Sequence, residues 1–176
     1  ETVEPDTKLG LDDMFELVRK ADEDYRTLQE KKEKLKQKIE EYRAKQQIVA
    51  PFRPLECDLH RVLHYRYITY RFGRIAVEFY HKMQKYLMDD LKAIFVEGER
   101  DESYVYGVYF VSQAETQKVD AVFRSLHFER IELKDEFEGT PDTAYRVLEN
   151  EIARVNLEIE DLDKQAERCW RTALRS

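Results

Sequence analysis

This chain is poor in the residues that punctuate compact enzymes. Its 176 residues include 5 glycines, 4 prolines and 2 cysteines. A compact α/β enzyme needs more glycine than this in its loops, so the composition favours long solvated helices. Cys57 and Cys169 lie too far apart to form a disulfide framework, which points to a reducing compartment. No apolar run comes near the ~20 residues needed to span a bilayer, and no signal-peptide pattern opens the chain. A basic excess is missing as well. Asp and Glu number 37 against 30 Lys and Arg, and the net charge of −7 argues against wholesale phosphate-backbone binding. The first residue is Glu1 rather than a methionine, which points to a fragment of a longer protein.

What the chain does have is charge and apolar periodicity, at 38% charged and 42% hydrophobic residues. Over residues 11–42, Leu11, Met14, Val18, Ala21, Tyr25, Leu28, Leu35, Ile39 and Tyr42 fall on alternating steps of three and four, with Lys32 the one break. That is the a/d stripe of a helix lying along another helix. The lysine-rich stretch 31–38 is interleaved with Glu30 and Glu33 and reads as a solvated face. A second stripe keeps the same spacing through Tyr145, Leu148, Ile152, Val155, Ile159, Leu162, Ala166, Cys169 and Ala173. Each helix would run roughly 45–50 Å at 1.5 Å per residue, and alone each would be marginal. Antiparallel pairing of the two, with the rest of the chain inserted at the tip, buries both stripes.

The insert has another texture. YRYITYRFG (65–73), AIFVEGE (93–99), YVYGVYFVS (104–112) and HFERIEL (127–133) read as strands, and residues 76–94 and 114–126 as helices. The first helix would turn Val77, Tyr80, Met83 or Gln84, Leu87 and Leu91 to one side, the second Val119, Val122, Phe123 and Leu126. The order β-α-β-β-α-β predicts an α+β lobe, a split βαβ (ferredoxin-like) four-stranded antiparallel sheet with both helices on one face. The first and third strands, the most apolar, belong in its centre. Residues 1–50 are then the ascending coiled-coil helix, 51–140 the lobe and 141–176 the returning helix. Pro51 and Pro54 end the first helix, and Leu55, Leu59 and Val62 or Leu63 suggest a short helix into the sheet.

Few residues invite chemistry. Cys57, His60 and His64 would share a face at i, i+3 and i+7, yet zinc needs a fourth ligand and no second Cys/His pair stands at finger spacing. Asp89-Asp90 sits at a helix end, and Glu97, Glu99, Asp101 and Glu102 surround a hairpin turn; both are exposed settings rather than pockets. Neither a P-loop nor GxGxxG occurs, and no cofactor or metal site is implied. In Gly139-Thr140-Pro141-Asp142, glycine turns the chain, threonine caps a helix, proline takes the first helical position and aspartate complements the positive helix end. The tyrosines say more. Tyr65, Tyr67, Tyr70, Tyr104, Tyr106 and Tyr109 leave aromatics on both sheet faces. The helix-free face is either a partner surface or is covered by residues 51–64 or the coiled coil. Stacked bases would need an RNA-recognition motif, and YVYGVYF has one glycine and no basic residue.

Several stretches carry a family resemblance: YRFGRI (70–75), FYHKMQKYL (79–87), SYVYGVYF (103–110), KVDAVFRSLHFERIEL (118–133) and EFEGTPDTAYRVLENEI (136–152). In order and spacing, over about residues 10–175, the chain resembles the cytoplasmic N-terminal domain of subunit I of V-type (A/V-type) ATP synthases, the counterpart of eukaryotic V-ATPase subunit a. It departs from that pattern at Ala76, where a proline would open the helix. The resemblance implies a non-catalytic stator scaffold on the cytoplasmic face of a membrane complex. The coiled coil and distal lobe would be present, with at most a remnant of the proximal lobe in residues 1–10 and beyond 174. It implies peripheral-stalk E/G heterodimers as partners, a membrane contact only through a separate C-terminal half, and no nucleic acid. Tyr67, Arg71, Lys85 and Tyr106 are the docking candidates. The rival reading is a coiled-coil protein with an RNA-recognition-like nucleic-acid-binding lobe.

Overall fold

A computed structural model describes residues 3–89, 91–134 and 136–175, with side chains described except at residues 3–9 and 87–89. The side chain of Leu87 and the Asp89-Asp90 pair therefore lie outside the described residues. The elements follow in the order α1 (Val3–Val49), α2 (Leu59–Leu63), β1 (Ile68–Ala76), α3 (Val77–Asp89), β2 (Ala93–Arg100), β3 (Tyr104–Ser112), α4 (Thr116–Ser125), β4 (Glu129–Arg130) and α5 (Pro141–Arg175). By contact they form two compact units, Arg43–Glu149 and Glu1–Tyr42 with Asn150–Ser176.

In the helical unit the two stripes meet in antiparallel register. Ile39 packs with Ile152 and Val155, flanked by Leu35, Tyr42 and Ile159. Further along, the Ala21 carbonyl accepts from the Cys169 thiol at 3.8 Å and Tyr25 tilts against Trp170. Lys32, the break in the heptads, sits in the seam and reaches Asp163 Oδ1 at 2.7 Å. A charged interruption of this kind holds two helices in one register. The seam does not extend over the whole predicted stripe: Leu11, Met14 and Val18 are exposed.

In the lobe the strand order is β2-β3-β1-β4, all neighbours antiparallel, so β1 and β3 are central as their apolar content requires. Side chains alternate between faces along each strand. Ile75 of β1 and Val105, Tyr109 and Val111 of β3 pack under Tyr80 and Met83 of α3 and under Val119, Phe123 and Leu126 of α4. This face holds the core of the lobe.

The last strand is far shorter than the expected 127–133. His127 turns with φ 58°, and Phe128 packs its ring on Tyr109 and Phe123. Only Glu129 and Arg130 then pair with β1. The close approach needs Gly73, where a Cβ would stand 2.2 Å from the Glu129 carbonyl oxygen. After the Ile131 N–H donates to Phe72 O at 2.8 Å the chain leaves β1. Leu133 and Phe137 are buried along its onward path.

The joint at residues 139–142 forms as its residues dictate. Gly139 takes φ 72° and Thr140 Oγ1 accepts from the Thr143 N–H at 3.1 Å, so α5 starts at Pro141 with a capped end. Asp142 also pairs with Arg53 at 2.9 Å.

Candidate docking surface

The lobe has one helix-covered sheet face and one that is not. On the second, β1 presents Tyr70, Phe72 and Arg74, β3 presents Tyr104, Tyr106, Val108 and Phe110, and β2 presents Ile94 and Val96. Residues just after α1 cover one end of it. The fully buried Phe52 stands edge-on to Phe72 at 5.3 Å and to Tyr106 at 6.3 Å. The Pro51 carbonyl lies 2.6 Å from where a Cβ on Gly98 would be. The other end stays open. There the cross-strand row Ile94–Phe110–Tyr70 leaves Ile94 66% exposed, with Val96 exposed beside it. Intramolecular cover is thus realised at one end of the face, while the other end is left uncovered.

The four docking candidates do not share a surface. Tyr67 precedes β1 and is 71% exposed. Lys85 is exposed on α3. Tyr106 is half-buried against Phe52. Arg71 is the main correction. It lies opposite Tyr109 in the register, hence on the helix-covered face and away from Tyr106, and its guanidinium is committed internally. Arg71 Nη2 and Arg130 Nη2 both reach Asp120 Oδ2, at 3.2 and 3.1 Å, while the Tyr109 hydroxyl donates to Asp120 Oδ1 at 2.6 Å. Burial raises the Asp120 pKa, but these donors outweigh it and hold the carboxyl below its ordinary value. Burial and the hydrogen bond to Asp120 push the Tyr109 phenol well above its ordinary value. Sequence reasoning missed this group because Asp120 comes 49 residues after Arg71. It also missed the row Ile94–Phe110–Tyr70, which strand alternation alone could have revealed.

The other candidates for chemistry stay separate. His60 and His64 lie ring to ring at 4.6 Å, but α2 begins only at Leu59, leaving Cys57 outside the helix. Burial pushes the Cys57 thiol up, away from the thiolate that binds metal. Among the described residues no three His, Cys, Asp or Glu side chains gather as metal ligands. Asp101 accepts from the Ser103 and Tyr104 N–H groups, both at 2.7 Å, as the solvated turn requires.

This fold is similar to a structure already solved. That structure is the cytoplasmic N-terminal domain of subunit I, homologue of subunit a, of V-ATPase. The two share a fold. Their similarity covers 92% of this chain at a TM-score of 0.59, with 13% sequence identity. This chain accounts for 54% of the solved domain, so about half of that structure has no counterpart here. No protein-family model and no curated protein matches the sequence. Among the described residues no helix is long and apolar enough to cross a membrane.

Proposed function

We propose that this chain is a non-catalytic stator scaffold, a piece of the cytoplasmic N-terminal domain of the membrane subunit I/a of a rotary V-type ATPase or ATP synthase. In this reading it anchors the peripheral-stalk E/G heterodimers, so that rotor torque couples ATP turnover to ion transport. The observation that carries the reading is the shared fold with the V-ATPase subunit I domain over 92% of the chain. Physical support comes from the helix pair, whose interlocked seam and cross-helix pair Lys32–Asp163 resist sliding.

The stalk docks on the open end of the sheet, at Ile94, Phe110 and Tyr70, with the exposed Tyr67 ahead of β1 as a separate candidate. Lys85 and Tyr106 are peripheral, and Arg71 acts only through the Asp120 group. Binding of purified E/G heterodimer to the immobilised chain tests this. Ile94→Asp and Tyr67→Ala should each weaken binding about tenfold, and Lys85→Ala should change it little. Unchanged binding in the first two would place the contact elsewhere. No binding by the parent chain would remove the stator reading.

A further inference from the structure

The seam between α1 and α5 has an uncovered side. One residue ahead of each seam position on α1 stand Lys20, Asp24, Thr27, Lys31 and Lys34, and one ahead on α5 stand Arg154, Glu158, Asp161, Gln165 and Arg168. The two rows lie on the same side of the helix pair, since together they wall two successive grooves of about 700 and 520 Å³. Leu35, Leu157 and Leu162 line the first groove, and Leu17, Ala21 and Leu28 the second. Leu157, outside the seam stripe, is 65% exposed.

The walls carry opposite charge at each level. Lys31 and Lys34 on α1 stand with Glu158 and Asp161 on α5 in the first groove, and Asp24 with Arg168 in the second. All six are exposed, and none pairs across its own groove. Among the described residues Lys31, Lys34, Asp24 and Arg168 join no ion pair, Asp161 accepts from Gln165 of its own helix, and Glu158 is held by Arg154 of its own helix. Arg154, the remaining cation on the α5 wall, is also held by Glu151.

A groove with one cationic and one acidic wall is complementary to itself. A two-fold axis along the groove lays α1 of one copy over α5 of the other at the same level, with neighbouring helices antiparallel. Lys31 and Lys34 of each copy then meet Asp161 and Glu158 of the other, Asp24 meets Arg168, and Leu157 joins a shared apolar floor. A single foreign helix in the groove would need acid along one flank and base along the other, which a second copy already has. From Leu17 to Leu35 the face runs ~27 Å and two helices span ~20 Å. Two copies would bury on the order of 1,000 Å², the area of a weak but specific pair.

We propose that this side of the helix pair is a self-association face, on which a second copy of the chain docks to complete an antiparallel four-helix bundle. The inference stands on the helical unit alone and does not depend on the stator reading.

The test is sedimentation equilibrium of the full chain in reducing buffer, which removes any contribution from Cys57 or Cys169. The expected result is a monomer–dimer equilibrium with a Kd in the tens of micromolar, about the strength such an area supports. It should weaken several-fold as salt rises from about 0.05 to about 0.5 M. Lys31→Glu/Lys34→Glu and Glu158→Lys/Asp161→Lys should each weaken dimerisation at least about tenfold, with circular dichroism at 222 nm unchanged. An equal mixture of the two variants should recover the dimer. In the mixed pair one half of the two-fold interface sets an acidic α1 wall on a cationic α5 wall, and the other half keeps the parent walls. Three results would overturn the proposal: a monomer at every concentration, a dimer indifferent to both charge reversals, or no recovery in the mixture. A monomeric chain that takes up purified E/G heterodimer, with loss in the Lys31→Glu/Lys34→Glu chain, would overturn it too and would give the groove to the stalk.

Discussion

Asp120 shows how one buried carboxylate sets the behaviour of its neighbours. It is 8% exposed and receives Arg71, Arg130 and the Tyr109 hydroxyl, so it remains ionised inside the lobe. The linkage signs follow from the two shifts. The Tyr109 phenol has a raised pKa in the folded state, so its contribution is fully present below its unfolded value of about 10 and is lost as pH rises through the folded value. Asp120 is depressed, so its contribution is lost only as pH falls below the ordinary carboxylate value near 3.8. Tyr109→Phe should therefore cost about 1.5–3 kcal/mol at neutral pH, the range for a hydrogen bond to a charged group. Urea midpoints measured from pH 7 to 12 should show the gap between parent and variant narrowing above pH ~10. A gap that stayed constant to pH 12 would mean that the phenol is not protonated on Asp120 in the folded state. Arg71 belongs to the same lesson. Counting alternate residues back from Ile75 places it on the core face, so its orientation was legible; its partner, on α4, was not.

Among the elements, the sequence makes β3 legible from end to end, since YVYGVYFVS puts apolar side chains on a buried face and mostly half-buried ones on the other. The split βαβ order and the central position of β1 and β3 are equally visible, because apolar content tracks depth in a sheet. β4 is the failure. HFERIEL alternates well, but a local pattern does not reveal that Phe128 is drawn onto Tyr109 or that Leu133 is buried on a path away from β1. The row Ile94–Phe110–Tyr70 does not share that obstacle, because alternation along three regular strands places its members on one face. The helix pair teaches a complementary point. Lys32 interrupts a readable stripe, and its cause lies in a residue 131 positions away. Asp163 is half exposed, so removing the lysine would leave no buried charge behind. Lys32→Leu should complete the seam and raise the melting temperature of the helical unit, with some loss of register specificity. A lower melting temperature, followed by circular dichroism at 222 nm, would show that the pair outweighs the apolar contact it displaces.

At the scale of the whole molecule, the chain has two units with different kinds of core. The lobe buries an aromatic cluster in which Tyr109 stacks on Phe123 at 3.8 Å, with Phe128 edge-on to both. The helical unit relies on a single line of side chains, and only part of its predicted stripe is covered, since Leu11, Met14 and Val18 are exposed. Less buried apolar area means lower local stability, and cooperative units of unequal stability open separately. The chain's only tryptophan makes this measurable, because Trp170 sits on α5 against Tyr25 in the helical unit, whereas the stacked tyrosine lies in the lobe. Tryptophan fluorescence should therefore report a transition at lower temperature than the near-ultraviolet circular dichroism of the tyrosines. Ile152→Ala, which opens a cavity beside Ile39 and Val155, should cost about 2–4 kcal/mol in the helical unit. It should move the tryptophan transition down by several degrees and the tyrosine transition much less. Coincident transitions that shift together in the variant would show one cooperative molecule. That result would refute the unequal stabilities argued from the two cores.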